Sequence, residues 1–396
     1  MPISKIKQAS IDASALTGSN ITDGTIAAAD LATNAVTTAK ISSGSVTNAK
    51  IAADAITTAK IADTVNLGRR NLVINGAMMI AQRSTSVSGQ TTTGYKTVDR
   101  ILTNASGSTY NQSQGSVTIG GETGLPGQFT KFLRHDVTTS NDNAHLYHRI
   151  EGVDSVPAGT VTLSFYAKGV TPTGGLSFAA YQNFGTGGSP STEVSITISD
   201  TKTLTSTWQR FSINITVPSI AGKTLGTNGD DFFYFGIGQM TNTSSAAYRL
   251  DITGLQLEVG DTATPFEHRS KGEELTLCQR YYQMYKESGG TGSNAYLRYG
   301  YGTVENSTRA EIPINSHTIM RADPTLETTG SFNNYSLWQR GSVVALTNLT
   351  VEGSGHSNGQ LFTLTATVAS GLNAGDCVGL MNNNSQTAYL AFSAEL

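Results

Sequence analysis

From Ile11 to Asp63 the chain repeats every ten residues, and so short a repeat excludes a self-contained globular core for that stretch. Ile11, Ile21, Leu31, Ile41, Ile51 and Ile61 form one column, while Leu16, Ile26, Val36, Val46 and Ile56 form a second, five residues later. Ala29, Ala39, Ala49 and Ala59 make a third column, followed by Asp30, Lys40, Lys50 and Lys60. Two sizeable apolar side chains per unit cannot bury one another within a single chain, so other copies of the segment must cover them. A spacing of five matches neither helical nor strand periodicity. Each unit therefore combines a short extended or helical piece with a turn, and Asp23-Gly24, Thr33-Asn34, Ser43-Gly44 and Ala53-Asp54 supply turn chemistry in register.

Residues 11–64 are accordingly expected to form a homotrimeric fibrous stalk. Its core is assigned to Ile21, Ile26, Leu31, Val36, Ile41, Val46, Ile51, Ile56 and Ile61, with the lysine columns outside. A disordered Ala/Thr-rich linker is the competing possibility, but a linker has no reason to hold register over five units.

The 396 residues include 42 glycines and only 14% charged side chains, a composition typical of β-rich surface or particle proteins. A net charge of -3 gives no basic footprint, which argues against nucleic acid or an anionic membrane as partner. There is no run of eighteen apolar residues to insert in a membrane, and Met1-Pro-Ile-Ser-Lys5 lacks the apolar core of a secretory signal. Synthesis in a cytoplasm without export by that route is expected. Cys278 and Cys377 are too few for a disulfide framework and are expected to act as small buried hydrophobes.

Between about residues 65 and 270 the chain alternates short apolar-periodic runs with Gly, Asn, Asp and Ser clusters. The runs are 116–119, 129–135, 160–168, 177–181, 194–198, 208–217, 231–237 and 248–257. Strands without helical crossovers predict an antiparallel β-sandwich of jelly-roll type. Residues 272–282 predict a short helix with Leu275, Cys278 and Tyr282 on one face. Beyond it, runs at 295–304, 308–314, 342–351, 360–368, 376–380 and 387–395 predict a second sandwich over 271–396. Its Tyr296, Tyr299, Tyr301, Tyr335 and Trp338, set among Asn-rich loops, are the candidate ligand-binding residues. Aromatic faces and neutral amides suit uncharged sugars, although packing of Tyr299 and Tyr301 on one strand face is the competing explanation.

Several motifs together carry a family resemblance. They are Asn71-Leu-Val-Ile-Asn-Gly-Ala-Met-Met-Ile-Ala-Gln-Arg83, Thr97-Val-Asp-Arg100, Thr207-Trp-Gln-Arg-Phe211, Ile252-Thr-Gly-Leu-Gln-Leu-Glu-Val-Gly260, Thr264-Pro-Phe-Glu-His-Arg269 and Cys278-Gln-Arg-Tyr-Tyr282. The ordered set resembles bacteriophage tail fibre proteins, and the repeat is similar to fibres of phages of cyanobacteria and other marine bacteria. The resemblance implies a carbohydrate-binding-module-like sandwich at 65–270, a virion-attachment end at 1–10 and a distal receptor-binding tip at 271–396. It further implies a virion tail location, with other tail proteins and host surface polysaccharide or lipopolysaccharide as partners. The chain departs from the family at Ala81-Gln82 and Ile101, where many fibres carry tryptophan.

No catalytic constellation is predicted. His145 and His148 fall on opposite faces of a strand, and the glycine runs lack the Lys-Ser/Thr of a phosphate loop. Asp230-Asp231 and Glu273-Glu274 are sequence neighbours, not the facing carboxylates that glycoside hydrolysis needs. Asn141-Asp142-Asn143 lacks the length and closing glutamate of a calcium loop. No enzyme activity, cofactor or metal is expected. The alternatives are a structural neck or head decoration fibre without receptor binding, and a glycan-depolymerising tailspike.

Overall fold

The computed structural model describes residues 28–32, 35–42, 45–47, 50–51, 70–118, 120–139, 143–172, 174–239, 247–286, 296–352, 360–385 and 387–396. The chain divides into two compact units, Met1–Asn66 and Leu67–Leu396, each considered by itself.

In the first unit the backbone repeats at half the sequence period. The amides of Ala35, Lys40, Ser45 and Lys50 each donate to the carbonyl three residues earlier, so a tight turn recurs every five residues. Short 3-10 turns at Ala28–Asp30 and Thr38–Lys40 belong to this series. The ten-residue period survives in the side chains, where Lys40 Nζ and Lys50 Nζ each donate to the carbonyl five residues back, at 2.7 and 2.6 Å. Leu31, Val36, Ile41, Val46 and Ile51 are between 40 and 57% exposed in the single chain. Ile21, Ile26, Ile56 and Ile61 of the expected stalk core lie outside the described residues.

The second unit is built of antiparallel strands. Its first half contains β1 (Ser86–Gln90), β2 (Gly94–Tyr95), β3 (Leu102–Ser106), β4 (Thr109–Ser116), β5 (Lys131–Thr139), β6 (Asn143–Glu151), β7 (Gly159–Val170), β8 (Ser177–Asn183), β9 (Val194–Ile196), β10 (Gln209–Val217), β11 (Phe232–Gln239) and β12 (Tyr248–Val259). They form two sheets, ordered β1-β4-β5-β12-β7-β10 and β2-β3-β6-β11-β8-β9. The expected sandwich is therefore present. Alternation aims Leu133, Leu163, Phe165, Ile213 and Leu250 of one sheet at Leu146, Phe178, Phe233 and Phe235 of the other, in one continuous core. Phe165 and Phe178 meet across it with centroids 5.9 Å apart.

A nine-residue helix, α1 (Lys271–Gln279), follows the sandwich. It starts where Ser270 Oγ accepts the Glu273 amide at 3.2 Å, and it stops short of the predicted Tyr282. Its buried face also differs from the predicted one, because Glu274 is buried beside Cys278 while Leu275 is only half-buried. Glu274 is held there by the Asn75 amide at 2.7 Å and by Arg269 at 3.3 Å. A polar anchor, not an apolar stripe, seats this helix.

The remaining strands are β13 (Tyr282–Lys286), β14 (Arg298–Asn306), β15 (Arg309–Asn315), β16 (Thr325–Thr328), β17 (Tyr335–Gln339), β18 (Ser342–Val351), β19 (Leu361–Val368), β20 (Cys377–Asn382) and β21 (Tyr389–Ser393). Here the expected second sandwich is replaced by a closed barrel, β14-β15-β19-β18-β17-β20, beside a three-stranded sheet β13-β21-β16. The barrel closes because β14 pairs with both β15 and β20, leaving no edge to build a second layer from. Gly302 permits that close approach: a Cβ there would lie 1.8 Å from the Glu311 carbonyl oxygen. Ile312, Leu337, Leu346, Phe362, Leu364 and Leu380 fill the interior.

Sandwich and barrel join along a seam made largely by the motifs that carry the family resemblance. Asn75, at φ 62°, donates its amide side chain to the carbonyls of Ile80 and Asp99 at 2.8 and 3.0 Å. Arg100, fully buried, pairs with Glu395 and lies 3.5 Å from the Tyr281 ring centroid. Arg83 pairs with the same Glu395 at 3.2 Å and stacks on Tyr282. Arg280 grips Glu151 at 2.6 and 2.8 Å, and Arg149 donates to the Leu396 carbonyl. These motifs are mainly scaffold, although Leu72, Ile74, Arg280 and Tyr281 also line a hollow of about 450 Å³ beside β6.

Candidate functional site

The outer face of the second sandwich sheet carries a row of aromatic rings. On β6, alternation turns Ala144, Leu146 and Ile150 into the core and leaves Tyr147 and Arg149 on the opposite side. On β11, Phe233 and Phe235 are core, so Phe232 and Tyr234 face outward. The ladders then bring these positions together across three strands. Tyr234 is opposite Arg149 on β6 and Tyr181 on β8, and Gly236 is opposite Tyr147 and Ala179. Glycine and alanine at those places keep the floor beside the rings low.

The rings hold one another. Tyr181 stacks on Tyr234 at 4.6 Å and 13°, Tyr147 meets Tyr234 edge-on at 5.1 Å, and Phe232 leans on Tyr234 at 5.4 Å. Arg149 caps Phe232 at 4.8 Å. Tyr234 donates its hydroxyl to Glu193 at 3.1 Å, and Asn183 donates to the other oxygen of that carboxylate at 2.8 Å. Burial pushes the Tyr147 phenol up to about 12, against the opposing hydrogen bond with Asn104. Burial, reinforced by Glu193, raises Tyr234 further. Both phenols stay neutral and keep their hydroxyl protons. The result is a preorganised, half-buried tyrosine strip edged by Asn104, Asn183 and Glu193. It offers faces for the C–H surface of a sugar ring, with donors and acceptors for its hydroxyls.

None of the five aromatic residues singled out from sequence belongs to this strip. Tyr335 is a core residue of the barrel, 0% exposed. Its hydroxyl donates to the Tyr389 carbonyl at 2.5 Å and accepts the Thr329 amide at 3.1 Å, so it is removed from the ligand-binding set. Tyr299 packs inward against it with centroids 6.2 Å apart. Tyr296 is exposed and precedes β14. Only Tyr301 and Trp338 share a surface: both pair with Gly379 of β20, one from each side, on the barrel's outer wall. Trp338 is thus on a strand, β17, where the sequence suggested a loop. Cys278 is buried as expected, whereas Cys377 is exposed on β20 beside Thr303, because its strand position faces outward.

The missed tyrosines did leave a signal. Phe232-Phe-Tyr-Phe235 places aromatic residues on both faces of one strand, and a sandwich strand has only one core face. The surplus rings had to be surface features. His145 and His148 obey the same rule and point to opposite faces, His145 against Tyr147 and His148 toward Phe235.

No protein-family model matches the chain, and no curated protein does. Among solved structures the chain is similar to the enzymatically active domain of tailspike protein 4 of bacteriophage CBA120. That match has 16% identity and a TM-score of 0.29, over 48% of this chain and 21% of that one. The match therefore spans about a fifth of the solved tailspike-domain chain. A second similarity is to a structure described as "CBM4 structure and function", at 16% identity and TM-score 0.23, over 32% of this chain and 82% of that chain. A third is to the N-terminal cellulose-binding domain of Cellulomonas fimi β-1,4-glucanase C, at 16% identity and TM-score 0.25, over 38% and 90%. At such scores the strand order and the side-chain geometry, not the similarity, carry the argument.

Proposed function

We propose that this chain is a non-catalytic glycan-binding fibre protein of the bacteriophage tail fibre class. In this reading residues 1–10 attach to other virion tail proteins, 11–64 associate as a homotrimeric stalk, and the β domains adsorb to host surface polysaccharide or lipopolysaccharide. The observation that carries it is the Tyr147–Tyr234–Tyr181 strip, which is built for stacking on sugar rings and commits its carboxylate, Glu193, to holding a phenol and an amide. The ten-residue repeat and the ordered motifs support the fibre class. Three weak sites per fibre would act together, because after the first contact the others are effectively intramolecular.

The test uses the intact protein and its Tyr234→Ala variant on an array of neutral bacterial surface oligosaccharides. Removing the central ring also frees Tyr181 and Tyr147, and a loss of about 1.4 kcal/mol, or tenfold in affinity, is expected. Undiminished binding by the variant would move the site elsewhere, and no binding by either would favour a purely structural fibre. New reducing ends in the incubated glycans would instead make it a depolymerase. A monomeric mass in solution would remove the trimer.

A further inference from the structure

The outer wall of the barrel carries a second constellation of different chemistry. Tyr301 of β14 and Trp338 of β17 flank Gly379 of β20. A Cβ at Gly379 would lie 3.1 Å from Tyr301 Cε1, so the tyrosine ring lies close over the strand where the glycine has no side chain. Arg298 completes the group. Its guanidinium carbon is 4.8 Å from the Trp338 ring centroid and 5.8 Å from that of Tyr301, and Nη1 donates to the Tyr301 hydroxyl at 3.0 Å.

Arg298 differs from its neighbours in the barrel. Arg309 is held by Glu305, Glu311 and Glu352, and Arg340 by Asp376. Among the described residues Arg298 has no carboxylate partner; it rests on two aromatic faces with most of its donors unused. Tyr301 also forms one wall of an adjoining hollow of about 470 Å³, whose other lining includes Thr303, Thr363 and Glu311, the last also paired with Arg309 at 3.2 Å. Positive charge with ring faces thus lies at one end, and hydroxyls with a carboxylate at the other.

We infer that this wall binds an acidic polysaccharide in which a carboxylate-bearing sugar is followed by a neutral one. The acidic sugar's carboxylate takes the Arg298 fork while its ring lies on Trp338 or Tyr301. The neutral sugar's hydroxyls donate to Glu311 and bond Thr303 and Thr363. Glu311 repels a second carboxylate, which selects alternating over fully acidic chains. The inference rests on the glycan-binding reading above and adds the ligand's charge pattern.

The probe is a hyaluronan hexasaccharide, which alternates uronic acid with neutral sugar, titrated calorimetrically into the full chain. Its carboxyl-reduced form and a galacturonate hexamer serve as comparison ligands. Expected results are binding of the hexasaccharide, a roughly tenfold loss on carboxyl reduction, weaker binding of the galacturonate, and weakening by added salt. Arg298→Gln should cost roughly tenfold for the hexasaccharide and Arg298→Lys less, with unchanged melting temperatures as the control for folding. Equal affinity for acidic and reduced forms, or an Arg298→Gln variant that binds like the parent, overturns the inference. Absence of hexasaccharide binding while the neutral array still shows Tyr234-dependent binding overturns this inference alone. Absence of both removes the glycan-binding reading as well.

Discussion

The sandwich and the barrel solve the problem of polar groups in opposite ways. Among the described residues, the sandwich and its seam bury Asp99, Arg100, Asp251, Glu258 and Glu274 together with His135, His145 and His148. The described polar residues buried in the barrel wall are Ser336, Gln339 and Asn382, all neutral. Arg100 and Glu274 are buried where the sandwich meets the chain around α1 and β21, Asp251 pairs with Arg134 inside a sandwich sheet, and the barrel wall buries no charge among the described residues. A barrel closed by its own ladder gets its geometry from strand pairing. A seam between unlike surfaces needs directional bonds to fix one arrangement, and buried ion pairs supply direction at a high desolvation cost.

That contrast predicts where the molecule is vulnerable. The largest effect is expected for Glu395→Gln, which leaves the fully buried Arg100 without its counter-charge. A loss of about 3–5 kcal/mol is expected, with the calorimetric unfolding peak splitting as sandwich and barrel uncouple. A single peak at the parental melting temperature would show that the seam contributes little.

Acid should act on the sandwich first. His135, packed between Tyr110 and Tyr248, is pushed by burial from the ordinary 6.5 down to about 3, and His148 is lowered in the same direction. Below pH 6.5 the unfolded chain takes the proton and the folded chain does not. The stability that His135 contributes is therefore complete above 6.5 and is lost as pH falls toward 3, at about 1.4 kcal/mol per pH unit, and that of His148 is lost in the same direction. Asp99 works against this. Burial raises it to about 6, so its contribution is present below 3.8 and lost as pH rises through 6. His135→Phe should flatten the urea-monitored slope between pH 6 and 4 by about one histidine's worth, and an unchanged slope would place the acid sensitivity elsewhere.

The smallest effect tests the helix at the seam. Ser270→Ala removes the cap on the Glu273 amide and should cost about 1 kcal/mol in denaturant unfolding. A cost well above that would mean that the Glu274 anchor depends on the cap.

How much of this was legible in the sequence follows the same division. In the barrel the β18 run matched residue for residue, since it is rich in Val, Leu and Thr, although its buried Leu346 and Leu349 are three apart across a register shift. In the sandwich β6 was legible only as a strand that parts His145 from His148, while β4 was missed because Thr, Asn, Gln and Ser supply most of its residues. Barrel closure was not legible at all. It depends on β14 finding β20 from across the domain, and on glycines such as Gly302 whose role is clearance, not pattern. The tyrosine strip was half legible. Phe232-Phe-Tyr-Phe235 announced surplus rings, but the convergence of Tyr147 and Tyr181 on Tyr234 arises from register between strands distant in sequence. Tyr335 shows the converse, since a tyrosine in a polar stretch reads as surface until a barrel interior takes it.

The half-period of the repeat has a consequence for how such a chain can change over time. Its turns recur every five residues, while its tethered lysines recur every ten. Gain or loss of ten residues leaves every turn and every charge in step. Gain or loss of five keeps the turns in step and exchanges only which of them carries a lysine. The segment is graduated like a ruler with major and minor divisions, so its length can change by whole divisions with the turn pattern intact.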